Sequence, residues 1–182
     1  IIAHYAKTLP KKKEDKVFII SSDKDFLQLI NENVIVYRPM EKEYYTEETM
    51  REKYKMSPSN FIIHKTLLGD NSDKIKGVKG LGDKGLLKKF PELMEKDLTL
   101  DDIYNICESK FKDHVVYARI VQGIEELEKN YKVMDLSNPM IDENDEKYLN
   151  KVANSQNLEY LPEQFVQMYN QDKLGGMIRN VE

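Results

Sequence analysis

The chain has 182 residues, 33% of them charged and 40% hydrophobic, a formal net charge of -4 and a single cysteine, Cys107. That length holds one domain or two small ones, and the composition suits a globular protein in a reducing setting, with a cytoplasmic location expected and an internal disulfide excluded. No apolar stretch nears the roughly 18 residues of a membrane span, no signal peptide opens the sequence, and the acidic balance argues against nucleic-acid binding by the whole surface while leaving room for a local patch.

The chain opens on Ile1 rather than Met, and "IIAHYAK" reads as a helix already under way, with Ile1, Ile2 and Tyr5 at helical spacing and no capping residue before them. A chain cut from something longer, or processed, is expected. "KTLPKKKEDK" is a charged loop broken by Pro10, and "VFIIS" (17–21) is a short β-branched and aromatic run that reads as a strand. "DFLQLINE" has Phe26, Leu27 and Ile30 at helical spacing; "NVIVYRP" and "KEYYTE" read as two further strands around a polar turn. Thr46 caps a helix over "TEETMREKYKM", and Ser57 with Pro58 starts another, whose stripe is Phe61, Ile62, Thr66 and Leu67. Past residue 70 strand signals almost vanish. "LTLDDIYNICESKF", "HVVYARIVQGIEELEKNY" and "PEQFVQMYNQ" read as amphipathic helices, and the tail "DKLGGMIRNVE" is not an obvious sliding-clamp peptide.

Two pairs of acids stand out. Asp23 and Asp25 follow the "VFII" strand, and ligands of α/β sheets collect outside the carboxyl ends of strands. Asp70 and Asp73, three apart in "GDNSD" at a helix end, share a face. Carboxylates converging from different segments suit magnesium or manganese, and four acids brought close without a cation would repel. Taken singly, each pair also reads as a turn or cap element.

From Lys74 to Lys89 there are six lysines (74, 76, 79, 84, 88, 89) against one acid, Asp83, with Gly77, Gly80 and Gly82 among them. A glycine turn running into a helix N-terminus aims N–H groups at an anion such as phosphate. The alternative is a tight helix-to-helix turn with a solvated lysine face. Ile75, Val78, Leu81, Leu86 and Leu87 are assigned to packing, and His4, His64 and His114 to surface or packing positions.

Taken together and in order, "IISSDKDFLQL" and, some 40 residues on, "TLLGDNSDKIKGVKGLGDKG" resemble the structure-specific 5′ nucleases. These include bacteriophage RNase H and flap endonucleases and the 5′-nuclease domain of bacterial DNA polymerase I. The resemblance covers roughly residues 1–90; the helical remainder fits the family's C-terminal region in general character. It implies an α/β fold: a partial parallel-sheet (PIN-like) nuclease core over 1–60, then an all-α helix–three-turn–helix DNA-binding region over 61–182, its helix-hairpin-helix at about 69–90.

By the same resemblance, the S-[SG]-D-x-D acids fall on Asp23 and Asp25 and the G-D-x-x-D acids on Asp70 and Asp73, ligands of Mg2+ or Mn2+ in a two-metal site, with no catalytic residue beyond them. The G-V-x-G-[LIV]-G hairpin falls on Gly77, Val78, Gly80, Leu81 and Gly82; with Lys74, Lys76, Lys79 and Lys84 it is expected to grip duplex backbone, with K+ at its carbonyls. The implied partners are duplex or branched DNA and RNA–DNA hybrid in a bacterial or phage-infected cell, with no membrane. One departure is Lys74-Ile75-Lys76, where the family commonly has Asn-Ile-Pro. "IIAHYAK" resembles the residues just after the family's E-A-D-D cluster. The chain as given is therefore expected to lack the upstream acids and to be inactive alone. The activity implied is a metal-dependent 5′→3′ exonuclease and flap endonuclease acting on RNA primers and 5′ flaps. The alternatives are a non-catalytic duplex-DNA-binding module, or a half-enzyme needing a separate N-terminal polypeptide, and an α/β domain whose acids are turn residues.

Overall fold

The computed structural model describes residues 1–155 and 161–172, so most of the "DKLGGMIRNVE" tail lies outside the described residues. The chain divides into two compact units, Ile1–Met140 and Ile141–Glu182, and the expected boundary near residue 60 falls inside the first.

In the first unit, helix α1 (Ile2–Thr8) buries Ala3, His4 and Ala6. Strands β1 (Val17–Ile20), β2 (Val34–Arg38) and β3 (Glu43–Tyr45) form one sheet in that order. β1 and β2 are parallel, with Val17 opposite Val34, whereas β3 returns antiparallel, with Val36 opposite Tyr45. The sheet is therefore mixed rather than purely parallel. Only residues 39–42 separate β2 from β3, and so short a link permits a hairpin but not a parallel crossover. The "DFLQLINE" periodicity forms a 3-10 helix, Lys24–Leu29, that buries Leu27.

α2 (Glu47–Tyr54) is capped by Thr46, which accepts from the Thr49 N–H, and it stops where Lys55 turns left-handed at φ 57°. The helix expected from Ser57 divides into a 3-10 turn, Pro58–Asn60, and α3 (Phe61–Leu68). Asn60, fully buried at the junction, donates to the carbonyls of Leu93 and Lys96 and accepts from the Leu98 N–H at 2.8 Å. The two-residue strands β4 (Gly69–Asp70) and β5 (Ile75–Lys76) follow as an antiparallel pair, and then α4 (Asp83–Lys89). α5 (Leu100–Ser109) begins in a capping box, with Thr99 and Asp102 satisfying each other's backbone N–H groups. The long amphipathic stretch from His114 breaks at Gly123 into α6 (Val115–Gln122) and α7 (Ile124–Met134).

Two hydrophobic cores result. Ile19, Leu27, Val34, Val36, Tyr45, Met50 and Phe61 close the sheet side. Ile63, Leu67, Leu86, Phe90, Ile103, Cys107, Ile120 and Leu127 close the helical side. α3 is the wall between them, giving Phe61 to one core and Ile63 and Leu67 to the other. Burial of such side chains contributes roughly 1.5–3 kcal/mol each before entropy is charged. The second unit contains α8 (Glu143–Ala153), capped by Asp142 through the N–H groups of Asn144 and Asp145, and α9 (Pro162–Gln171). Among the described residues no helix is long and apolar enough to cross a membrane.

Candidate metal centre and basic hairpin

The carboxyl end of β1 turns on two local bonds. The Asp23 N–H donates to Ser21 Oγ at 3.1 Å, and the Asp23 carboxylate accepts from the Asp25 N–H at 2.9 Å. Asp23 thereby caps the 3-10 helix, and Asp25 points inward from its first turn. Asp70 is placed by a different device. α3 ends at Gly69 with φ 77°, in the left-handed region that favours glycine. A Cβ on Gly69 would lie 2.3 Å from the Gly77 nitrogen, and one on Gly77 would lie 2.1 Å from the Leu68 carbonyl carbon. The two glycines let the chain cross itself in backbone contact, which fixes Asp70 beside the end of α3. The Asp70 Oδ1 then accepts from the Ser72 N–H at 2.8 Å and from the Ser72 hydroxyl.

These placements bring together carboxylate oxygens of Asp25, Asp70 and Asp73, all within 4.8 Å of one another. Asp23 lines an open cavity of about 480 Å³ with Asp70, Asp73, Lys24, Lys65 and Ser72, but is outside the close trio, its carboxylate spent in part on the Asp25 N–H. Lys65, which the sequence reading passed over, lies in the middle. Its side chain is only 11% exposed, and its ammonium pairs with Asp25 Oδ1 at 2.5 Å and with Asp70 Oδ2. The signal was present as a lone cation inside the apolar run "FIIHKTLL" of α3, five residues before Asp70. Burial works against the charge on Lys65, but the bonds to Asp25 and Asp70 outweigh it and raise its pKa above the ordinary lysine value. Lys65, and then the Ser72 hydroxyl, hold the Asp70 carboxyl well below the usual range.

A divalent cation fits this donor set. Three converging carboxylates are the hard oxygen ligands that magnesium and manganese take. Asp25 Oδ1 is buried with the Lys65 ammonium at 2.5 Å as its partner, so a divalent cation would share this oxygen with Lys65.

The hairpin is less uniform than its sequence suggests. Lys74, Lys76, Lys79 and Lys84 are exposed. Gly77 faces Leu68, so its lack of a side chain serves the chain's own crossing. Val78 is buried at 9% exposure and donates its N–H to the Leu67 carbonyl at 2.7 Å, and Leu81 packs on the helical core. Gly80 turns with φ 85°, and Gly82 opens α4 with nothing within 4 Å of a hypothetical Cβ. His64, from α3, pairs with Asp83 in the first turn of α4 at 2.7 Å and stacks on Phe61, so it fastens the two helices that flank the hairpin.

The family described as 5′-3′ exonuclease, N-terminal resolvase-like domain, matches residues 1–55. A 5′-3′ exonuclease of Aquifex aeolicus is 33% identical over 139 residues, covering 75% of this chain and 44% of that protein. A DNA polymerase I of Caldicellulosiruptor bescii is 34% identical over 133 residues, covering 66% of this chain and 16% of that protein. The chain thus spans less than half the length of these curated relatives. Among solved structures, a bacteriophage T5 5′-exonuclease with bound zinc is similar with a TM-score of 0.62 at 24% identity, covering 75% of this chain and 49% of that one. A T5 flap endonuclease in complex with DNA and metal ions is similar with a TM-score of 0.61 at 23% identity, covering 75% of this chain and 48% of that one. At those identities the two structures establish the fold.

Proposed function

Since the chain belongs to the 5′ nuclease family, we propose that it forms the C-terminal part of a metal-dependent 5′→3′ exonuclease and flap endonuclease, with a nuclease portion over 1–60 and a DNA-binding helical portion over 61–182. The observation that carries the reading is the convergence of Asp25, Asp70 and Asp73, from segments 45 residues apart, at the end of a parallel strand. With Asp23 at the rim, these acids hold magnesium or manganese. When bound, such ions supply a water-derived nucleophile and stabilise the leaving oxygen of a phosphodiester. The chain's own part is to fix the carboxylates and to bring a phosphate backbone beside them.

The second part falls to the hairpin. Lys74, Lys76, Lys79 and Lys84 meet backbone phosphates of duplex or branched DNA or of RNA–DNA hybrid. Gly77, Val78, Gly80, Leu81 and Gly82 shape the turn that presents those lysines, and K+ sits at turn carbonyls. Support comes from the turn's position directly after the acid cluster, and from the neighbouring T5 flap endonuclease, whose structure holds DNA and metal ions. A second reading, a duplex-binding module without catalysis, is favoured by Lys65, which pairs with two of the three clustered acids.

One experiment tests the metal assignment and whether the chain cuts by itself. The 182-residue chain is titrated with manganese while paramagnetic broadening of backbone signals is followed, and is then incubated with magnesium and a 5′-flap duplex. Broadening centred on Asp23, Asp25, Asp70 and Asp73, with little or no cleavage by the chain alone, is expected. Three clustered carboxylates among the described residues suit one ion better than a two-ion displacement. Broadening elsewhere would overturn the metal assignment. Robust cleavage lost in Asp70→Asn would show the chain to be sufficient by itself.

A further inference from the structure

We propose that the groove between the glycine turn and the α6–α7 corner is a phosphate site of its own, in which Arg119 meets a backbone phosphate of the duplex beyond those held by the hairpin lysines. This rests on the duplex-binding reading above. Arg119 is an exposed residue of α6, yet its Nη1 donates to the Lys79 carbonyl at 2.7 Å, across 40 residues of sequence. The bare Cα of Gly80 admits the guanidinium at this point, because a Cβ there would lie 3.1 Å from the same Nη1. The arginine is therefore held in place before any ligand arrives, which lowers the ordering cost of binding. A guanidinium has five N–H donors in a rigid fork, and Arg119 gives one of them to the Lys79 carbonyl, so its open edge has the geometry that takes two phosphate oxygens.

The groove's charge selects an anion. It is an open groove of about 360 Å³, and its lining includes Lys76, Lys79 and Arg119. Its one acid, Glu126, is already paired with Lys129 at 3.4 Å. The two turn carbonyls that would repel an anion are covered, that of Lys79 by Arg119 and that of Lys76 by the Asn130 amide at 3.0 Å. Continuity with the hairpin lysines makes the anion a phosphate of the same nucleic-acid backbone.

The test is a fluorescence-anisotropy titration of a random-sequence duplex at several salt concentrations. It compares the parent chain with Arg119→Gln, Arg119→Lys, Lys79→Ala and the Lys79→Ala/Arg119→Gln pair. Each phosphate contact contributes about 0.9 to the slope of log affinity against log salt. Arg119→Gln is expected to flatten the slope by about that amount, Arg119→Lys to preserve most of it, and the double variant to lose about 0.9 more than Lys79→Ala alone. Arg119 is exposed, so its loss empties no core, and Arg119→Met, which keeps much of the stem, repeats the measurement independently. An unchanged slope in both Arg119→Gln and Arg119→Met overturns the site, as does a loss seen only when Lys79 is present, which would make Arg119 a brace for the turn. If Lys76→Ala/Lys79→Ala/Lys84→Ala flattens the slope and Arg119→Gln does not, this inference alone fails. A parent chain without salt-dependent duplex binding overturns the duplex reading and this inference together.

Discussion

Lys65 and Asp70 pair where a buried cation meets the acid cluster, and each stabilises the other's charge. The two shifts belong to one interaction and count once. The depressed Asp70 carboxyl contributes stability that is complete above its unfolded pKa of about 3.9 and is lost as pH falls below it. The raised lysine contributes stability that is complete below about 10.4 and is lost as pH rises through its folded value. Lys65→Met keeps much of the stem and removes the ammonium, so it is expected to cost about 1–3 kcal/mol near neutral pH, the low side for breaking a buried pair because water still reaches the carboxylates. It should also tighten manganese binding, since the ion then meets Asp25 and Asp70 without a competing cation. Urea denaturation and isothermal titration with manganese read the two effects. Equal or weaker manganese affinity in a folded Lys65→Met chain would contradict this account of the cluster. His64 titrates with the opposite consequence to Lys65. Burial, only partly offset by Asp83, lowers its pKa, so its contribution is complete above about 6.5 and falls away as pH drops below that. Denaturation midpoints for the parent and His64→Gln should converge as the pH is lowered from 7 to 5, and a constant gap would show that His64 does not titrate in this way.

The element that decides the site is the crossing of α3's end with β5, and it explains why the three hairpin glycines are not equivalent. At Gly77 an added methyl meets backbone at 2.1 Å, which cannot swing aside. At Gly82 it meets nothing within 4 Å, and φ is −130°. Gly77→Ala is expected to cost more than about 3 kcal/mol, Gly80→Ala about 1 kcal/mol through its positive φ, and Gly82→Ala less than about 0.5 kcal/mol. Chemical denaturation of the three variants checks the order, and a tolerated Gly77→Ala would mean that the crossing can open. The sequence shows the acids and not this crossing, for a physical reason. Asp23, Asp25, Asp70 and Asp73 sit at the ends of local hydrophobic patterns that can be read in a short window. The β4–β5 pair has only two residues in each strand and is set by the contact of Gly69 with Gly77, which leaves no periodicity. Lys65 was hidden for a related reason. It belongs to no polar face of α3, and a cation within an apolar stripe makes sense only once its acidic partners from other segments are in place. Gly123 was readable as a residue type, but the amphipathic pattern continues across it, so α6 and α7 looked like one helix.

At the scale of the Ile1–Met140 unit, sheet and helices could in principle melt separately, because each has its own core. α3 argues against that. Phe61 is 1% exposed in the sheet core, and Ile63 and Leu67 are fully buried in the helical one, so fraying either side exposes a face of the same two-turn helix. A helix of eight residues has little stability apart from its packing. The unit should therefore unfold in one transition, and Cys107 offers a probe of it. The thiol is fully buried in the helical core, and burial pushes its pKa up to about 12, so it has almost no thiolate at neutral pH and should be inert until that core opens. Val34→Ala, in the sheet core, and Ile103→Ala, in the helical core, remove buried side chains on opposite sides of α3, each costing about 2–4 kcal/mol. If the unit is cooperative, Val34→Ala lowers the urea midpoint for Cys107 labelling as well as that for loss of circular dichroism, although its side chain and Cys107 lie in different cores. A Val34→Ala chain whose Cys107 labelling midpoint stays at the parent value would mean that the sheet side melts alone, and α3 would then be a boundary between two folding units.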